Sequence, residues 1–210
     1  MKPRKPQRPR PVRGLRPGPL PHLLRGAADL MRVAALASAV SAYLWPLGGA
    51  WRFLGLFALM LVPRLCGLAP LFDLAFGAAM LLATWAGVRN WYVTVVWMDE
   101  VVHFVTVAAV TVTGYLVLAK WHVLAEATAL AERGRAAVLP LLLTMLGFTV
   151  ACLWEFVEWV AQQLSPGAIH VGYDDTVLDL ALGGLGALLA GTFLSLRAHH
   201  QARAHQEDDA

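Results

Sequence analysis

The stretch VWMDEVVHFVTVAAVTVTGYLVLAK, residues 96–120, decides the fold. From Val101 to Ala119 it holds no Asp, Glu, Lys or Arg and a single imidazole, His103. At about 1.5 Å of rise per residue, an apolar run of this kind reaches roughly the 30 Å thickness of a bilayer's hydrocarbon core. It therefore reads as a membrane-crossing helix. Yet its entry carries Asp99, Glu100 and His103, groups that hydrocarbon disfavours in their charged forms.

The rest of the chain agrees with that reading. Of 210 residues, 58% are hydrophobic and 15% charged, against about 25% charged in soluble domains. A soluble domain is excluded by this balance. Hydropathy segments the chain into six candidate helices, at about 29–46, 50–66, 70–89, 99–119, 138–163 and 175–196. Pro46-Leu47-Gly48-Gly49, Ala69-Pro70 and Ser165-Pro166-Gly167 punctuate them. The stretch from Glu126 to Arg135 turns polar and reads as an exposed loop that continues helically. The expected fold is all-α, a polytopic helical bundle over 27–197 with an arm over 1–26 and a polar tail over 198–210. In the first span, Asp29 and Arg32 either pair across one turn or snorkel outward.

Eight of the 17 Lys and Arg residues fall within the first 25 positions, beside seven prolines, which predicts a disordered basic arm. Ahead of a membrane helix such a segment is an orientation signal or an anionic-lipid contact; no nucleic-acid partner is expected. An even number of crossings leaves both termini on one side, and the arm makes that side cytoplasmic. Arg64, Lys120, Arg133, Arg135, Arg197 and Arg203 then also lie inside, with Arg52 and Arg89 outside. Cys66 and Cys152 lie in apolar runs and imply no disulfide. The C-terminal RAHHQARAHQEDDA reads as a solvated His-rich tail.

With this orientation the acids gather at one face of the membrane. Asp99 and His103, and Asp175 and Asp179, are four apart; Glu155 and Glu158 are three apart, so each pair shares a helix face. Asp73, on the other side, reads as a cap. Glu100 points away from Asp99 and reads as a headgroup-level residue, and Asp174 as a helix cap. Close carboxylates cannot all stay ionised without a cation, so either some hold protons or a divalent metal sits among them. Asp99, His103, Glu155 and Asp175 are the candidate metal ligands or orienters, and Glu158 and Asp179 the candidate general bases. The membrane edge suits hydrolysis or transfer on a lipid or lipid-linked headgroup. A proton- or cation-coupled transporter and a scaffold locked by polar contacts are the rival readings, and a homo-oligomer is compatible with all three. Thr106, Thr111, Thr113 and Thr144 are the few polar residues that a transport path would use on the cytoplasmic side. Gly183, Ala187 and Gly191, at four-residue steps, predict close helix packing.

The order NWYVTVVWMDEVVHF, then LWEFVEW, then GYDDTVLDLALGGLGALLAG, over about residues 70–196, resembles the YjdF-like inner-membrane proteins of bacteria. That resemblance implies a small helical bundle in a bacterial inner membrane and singles out Asp99, His103, Glu155, Glu158, Asp175 and Asp179. Asp174 departs from it, standing where the family pattern has Trp. A looser similarity, in spacing alone, is to VanZ-like membrane proteins. Neither resemblance supplies a reaction.

Overall fold

The computed structural model describes residues 19–44, 49–164 and 172–208. Most of the basic arm, Pro46-Leu47-Gly48 and Ser165-Pro166-Gly167 lie outside the described residues. Six long helices form the bundle: α1 (Pro19–Leu44), α2 (Ala50–Leu65), α3 (Pro70–Val88), α5 (Met98–Lys120), α7 (Val138–Leu164) and α8 (Tyr173–Asp208). Short helices α4 (Trp91–Thr94) and α6 (Ala127–Glu132) interrupt the connections, and no strand occurs among the described residues. Five of the six are at least 18 residues long and apolar enough to cross a membrane. The sixth, α2, has 16 residues, about 24 Å of helix. It nevertheless runs alongside α3: Gly49 lies by Val88, the Phe53 ring meets the Trp85 ring at 5.0 Å, tilted, and Met60 reaches Gly77. The expected six-helix bundle is what forms.

Two helix ends differ from the expected boundaries. Helix α1 starts at Pro19, so residues 19–26, assigned to the arm, are helical instead. Pro19 and Pro21 fall in the first turn, where backbone N–H groups have no helical partner and proline is tolerated. Helix α8 runs to Asp208, so the expected solvated tail from residue 198 is mostly helix too. Ala198 and Ala202, one turn apart, are buried beside Ala131 and Ala136. That small apolar stripe packs on α6 and keeps the helix going beyond the last hydrophobic turn.

Helices α1, α2 and α3 pack together, α5 joins them through α3, and α7 and α8 pack on the far side of α5. Where α5 meets α8 the backbones touch: a Cβ on Gly186 would collide with the Phe104 carbonyl oxygen. Gly147 is likewise pressed against Ala187, which is fully buried, and Gly191 against Pro140 and Leu139. Contacts of this kind let helices associate where no hydrophobic driving force separates lipid from protein. They also fix how α5, α7 and α8 present their ends.

One end of the bundle is closed by a buried ion pair. Arg32 binds Asp73, and its Nε and Nη2 donate to the Met60 carbonyl oxygen at 3.1 and 2.8 Å. Its Nη1 donates to Asp29 at 2.9 Å, and Arg64 stands 3.5 Å from the same carboxylate. The Asp29–Arg32 pairing expected across one turn is present. Asp73 is not the cap it resembles in sequence: Ala69 holds the cap position, and Asp73, the fourth residue of α3 and 5% exposed, has Arg32 as its partner. Pro63 inside α2 leaves the Leu59 carbonyl without its helical N–H, and the carbonyl of the next residue, Met60, takes up the guanidinium.

Candidate functional site

The opposite end gathers the acids. The chain leaves α3 through Asn90, in the left-handed region at φ 58°, makes the single turn α4, and enters α5 at Met98. Asp99 thus lies in the first turn of α5, with His103 one turn deeper and 2% exposed. Glu155 and Glu158 come from the last turns of α7, Asp175 and Asp179 from the first two turns of α8. Asp179 is 2% exposed. All six residues expected to form the site converge.

His103 is the hub. Its Nε2 stands 3.5 Å from Asp99 Oδ1 and 3.9 Å from Asp179 Oδ2, and its Nδ1 4.0 Å from Glu155 Oε1. These separations exceed hydrogen-bond length. Both ring nitrogens, Glu155 Oε1 and Asp179 Oδ2 are buried without a hydrogen-bond partner. Leaving such groups unmet costs about 1–3 kcal/mol each, more when charged. No Lys or Arg pairs with Glu155, Glu158, Asp175 or Asp179 among the described residues.

The ligand atoms fall into three overlapping groups, each within 4.8 Å: Asp99, His103 and Glu158; His103, Glu155 and Asp179; Asp99, Asp175 and Asp179. Two ligands held about 2.0–2.2 Å from one tetrahedral ion stand roughly 3.3–3.6 Å apart. The spacing around His103 Nε2 is within a few tenths of an ångström of that. A nitrogen with several carboxylates is a donor set that Zn, Mn and non-haem Fe accept.

Two side chains outside the expected set order the acids. Thr176 donates to Glu155 Oε2 at 2.6 Å, and Trp154 Nε1 donates to Glu158 Oε1 at 2.8 Å. The Trp154 ring also meets the His103 ring edge-on, with centroids 6.2 Å apart. Tyr92 donates to the Ala83 carbonyl oxygen at 3.2 Å. Burial, then the nearby Asp99 and Glu158 charges, hold its phenol proton well above the usual range. The signal for Trp154 was its four-residue spacing from Glu158; Thr176 offered none before α7 and α8 were known to meet. Glu100 is half-buried with Oε2 unpartnered, and Asp174 is exposed; neither joins the three groups.

A furrow of about 410 Å³ between α7 and α8 leads to Glu155 from the flank, lined by Cys152, Phe156, Trp159, Thr176 and Leu180. Phe156 and Trp159 are more than half exposed along it. Glu155 is thus reached sideways, through an apolar wall.

Residues 22–200 match the model of a family described as predicted membrane protein (DUF2238). No curated protein and no solved structure matches the chain.

Proposed function

The chain belongs to the DUF2238 family of membrane proteins, and from that premise we propose that its acidic end is a divalent-cation site for acid–base chemistry on a membrane-embedded headgroup. The observation that carries this is the unmet His103 Nε2, facing Asp99 and Asp179 at cation-sharing distance. In this reading Nε2, Asp99, Asp175 and Asp179 hold the ion. Nδ1–H turns to Glu155, which Thr176 anchors, so the carboxylate fixes the ring's tautomer as outer partners of metal-bound histidines do. Glu158, steadied by Trp154, is the general base.

The ion supplies Lewis acidity and lowers the pKa of a bound water. With such an ion in place, Glu158 would take the proton of an attacking water and pass it to the departing oxygen of an ester or phosphoester. The flank furrow beside Glu155 favours a substrate whose apolar part stays in the membrane. We place the site on the extracytoplasmic face of a bacterial inner membrane, with both termini cytoplasmic. Arg64, Lys120, Arg133, Arg135, Arg197 and Arg203 against Arg52 and Arg89 support that orientation. A reporter fused after Arg197 and active only outside the cytoplasm would reverse it.

Elemental analysis of the detergent-purified full chain tests the reading. Near-stoichiometric divalent metal in the native protein and its loss in His103→Ala and Glu155→Gln are expected. Native protein that stays metal-free after incubation with Zn, Mn or Mg, with both variants fully functional in cells, would overturn it.

A second reading is favoured by Thr106 and Thr111. Their hydroxyls are buried without partners, inward of His103. They would continue an ion or proton relay from the acidic end. Proteoliposomes that carry no proton or cation flux under any gradient would remove it.

A further inference from the structure

A second apolar furrow, on the opposite side of α5 from His103, has a volume of about 550 Å³. It exists because α3 and α8 both pack on α5 but barely on each other. Small side chains, Ala75, Ala78, Ala108 and Ala109 among them, leave its floor open, and Ala75, Ala78 and Phe193 are exposed along it. From Leu71 to Leu82 it follows α3 for about 16 Å. That is close to half the roughly 30 Å hydrocarbon core, the depth of one leaflet.

The two ends of the furrow differ. At the end shared with Asp73 the Phe72 ring meets Phe193 edge-on, and the Arg197 guanidinium lies 5.4 Å from the Phe72 centroid. Arg197 is one turn beyond Phe193 on α8, and Lys120 stands two turns beyond Thr113 on the same face of α5. An apolar slot one leaflet deep therefore closes on cationic side chains at the level where headgroups lie. Outside the polar atoms of its mouth, the lining offers little but hydrocarbon.

We propose that this furrow holds an acyl chain of an anionic phospholipid, with the phosphate against Arg197. A zwitterionic lipid fills the slot equally well but brings its own cation to the guanidinium, so preference resides in Arg197 and occupancy in the alanine floor. Basic groups near a membrane surface attract anionic lipid at about 1 kcal/mol each, which corresponds to roughly a five-fold preference per charge. The site does not depend on the cation reading of the acidic end.

Native mass spectrometry of the delipidated full chain, titrated with phosphatidylglycerol or phosphatidylcholine in mixed micelles, reads both quantities. Wild type should retain phosphatidylglycerol at least five-fold better. Arg197→Gln should lose about five-fold of that preference, Arg197→Lys should keep it, and Ala75→Phe, which fills the floor from an exposed position, should lose both lipids. Equal retention by wild type, an unchanged preference in Arg197→Gln, unchanged binding in Ala75→Phe, or a dimer that excludes lipid would each overturn the proposal. Metal content measured on the same samples keeps this result separate from that of the acidic site.

Discussion

His103 Nε2 and Asp179 Oδ2 face each other across 3.9 Å, both buried and neither hydrogen bonded. Under the cation reading, an ion between them accounts for two groups brought this close by different helices, yet not close enough to bond. The helix packing holds them there: Gly186, two turns below Asp179, locks α8 against the Phe104 carbonyl oxygen, one residue beyond His103. The gap is therefore a property of the bundle and not of a mobile side chain.

That gap gives opposite signs for one substitution. Without a cation the clustered carboxylates repel, so Asp179→Asn should raise the thermal stability of chelator-treated protein. With a cation the same change removes a ligand. Native protein at about 100 times the metal's Kd should gain about 2.7 kcal/mol, and the variant far less. Thermal unfolding in detergent, with and without metal, measures both. A variant less stable than wild type under both conditions would point to a purely structural network.

Acid should empty the site. Carboxylate and imidazole ligands bind metal only when deprotonated, so protons compete with the ion. Bound metal should fall steadily as the pH is lowered, because each ligand that gains a proton is lost to the ion. Equilibrium dialysis against buffered Zn or Mn follows it. Metal retention that rises on acidification would contradict coordination by these groups.

Much of this was legible in the sequence, for identifiable reasons. Charge-free runs of bilayer length mark the helices, and three- and four-residue spacings put Asp99 with His103, Glu155 with Glu158, and Asp175 with Asp179 before any contact was known. What spacing along one helix could not reveal was pairing between helices. Arg32 and Asp73 are 41 residues apart, so Asp73 looked like a cap. Thr176 reaches Glu155 only because the last turns of α7 and the first turns of α8 meet. Glu158 and Asp179, read as bases, both fall within the ligand groups, a distinction that needs distances. The ends of α1 and α8 differ from the expected ones because proline in a first turn resembles a helix breaker, and the polar side chains around Ala198 and Ala202 resemble a solvated tail.

Close approach of α5 and α8 is testable at a single atom. Gly186→Ala places a methyl group where the Phe104 carbonyl oxygen already lies, and backbone cannot rotate aside as a side chain would. Overpacking of this kind costs about 1–3 kcal/mol. Because the displaced helices carry Asp179 and His103, metal affinity should fall with stability. Gly55→Ala, where nothing lies within 4 Å of the new methyl, is the control and should leave metal affinity unchanged and stability up to about 1 kcal/mol higher. Equal behaviour of the two variants in thermal unfolding and metal titration would mean that the contact does not set the site.

The ion pair at the other end should behave as a lock without a chemical role. Arg32 and Asp73 are both buried, so Arg32→Met leaves a carboxylate with no cation in an apolar setting, at a cost of about 3–5 kcal/mol. Asp73→Asn should cost less, since Arg32 keeps Asp29 and the Met60 carbonyl oxygen. Combining the two should recover much of the loss, because the uncompensated charge disappears. A double-mutant cycle by denaturant unfolding in detergent measures the coupling. Each variant that folds should take up metal at the acidic end as wild type does, since the pair lies at the opposite end of the bundle. A folded Arg32→Met protein with weakened metal binding would show that the two ends communicate through α3 and α5.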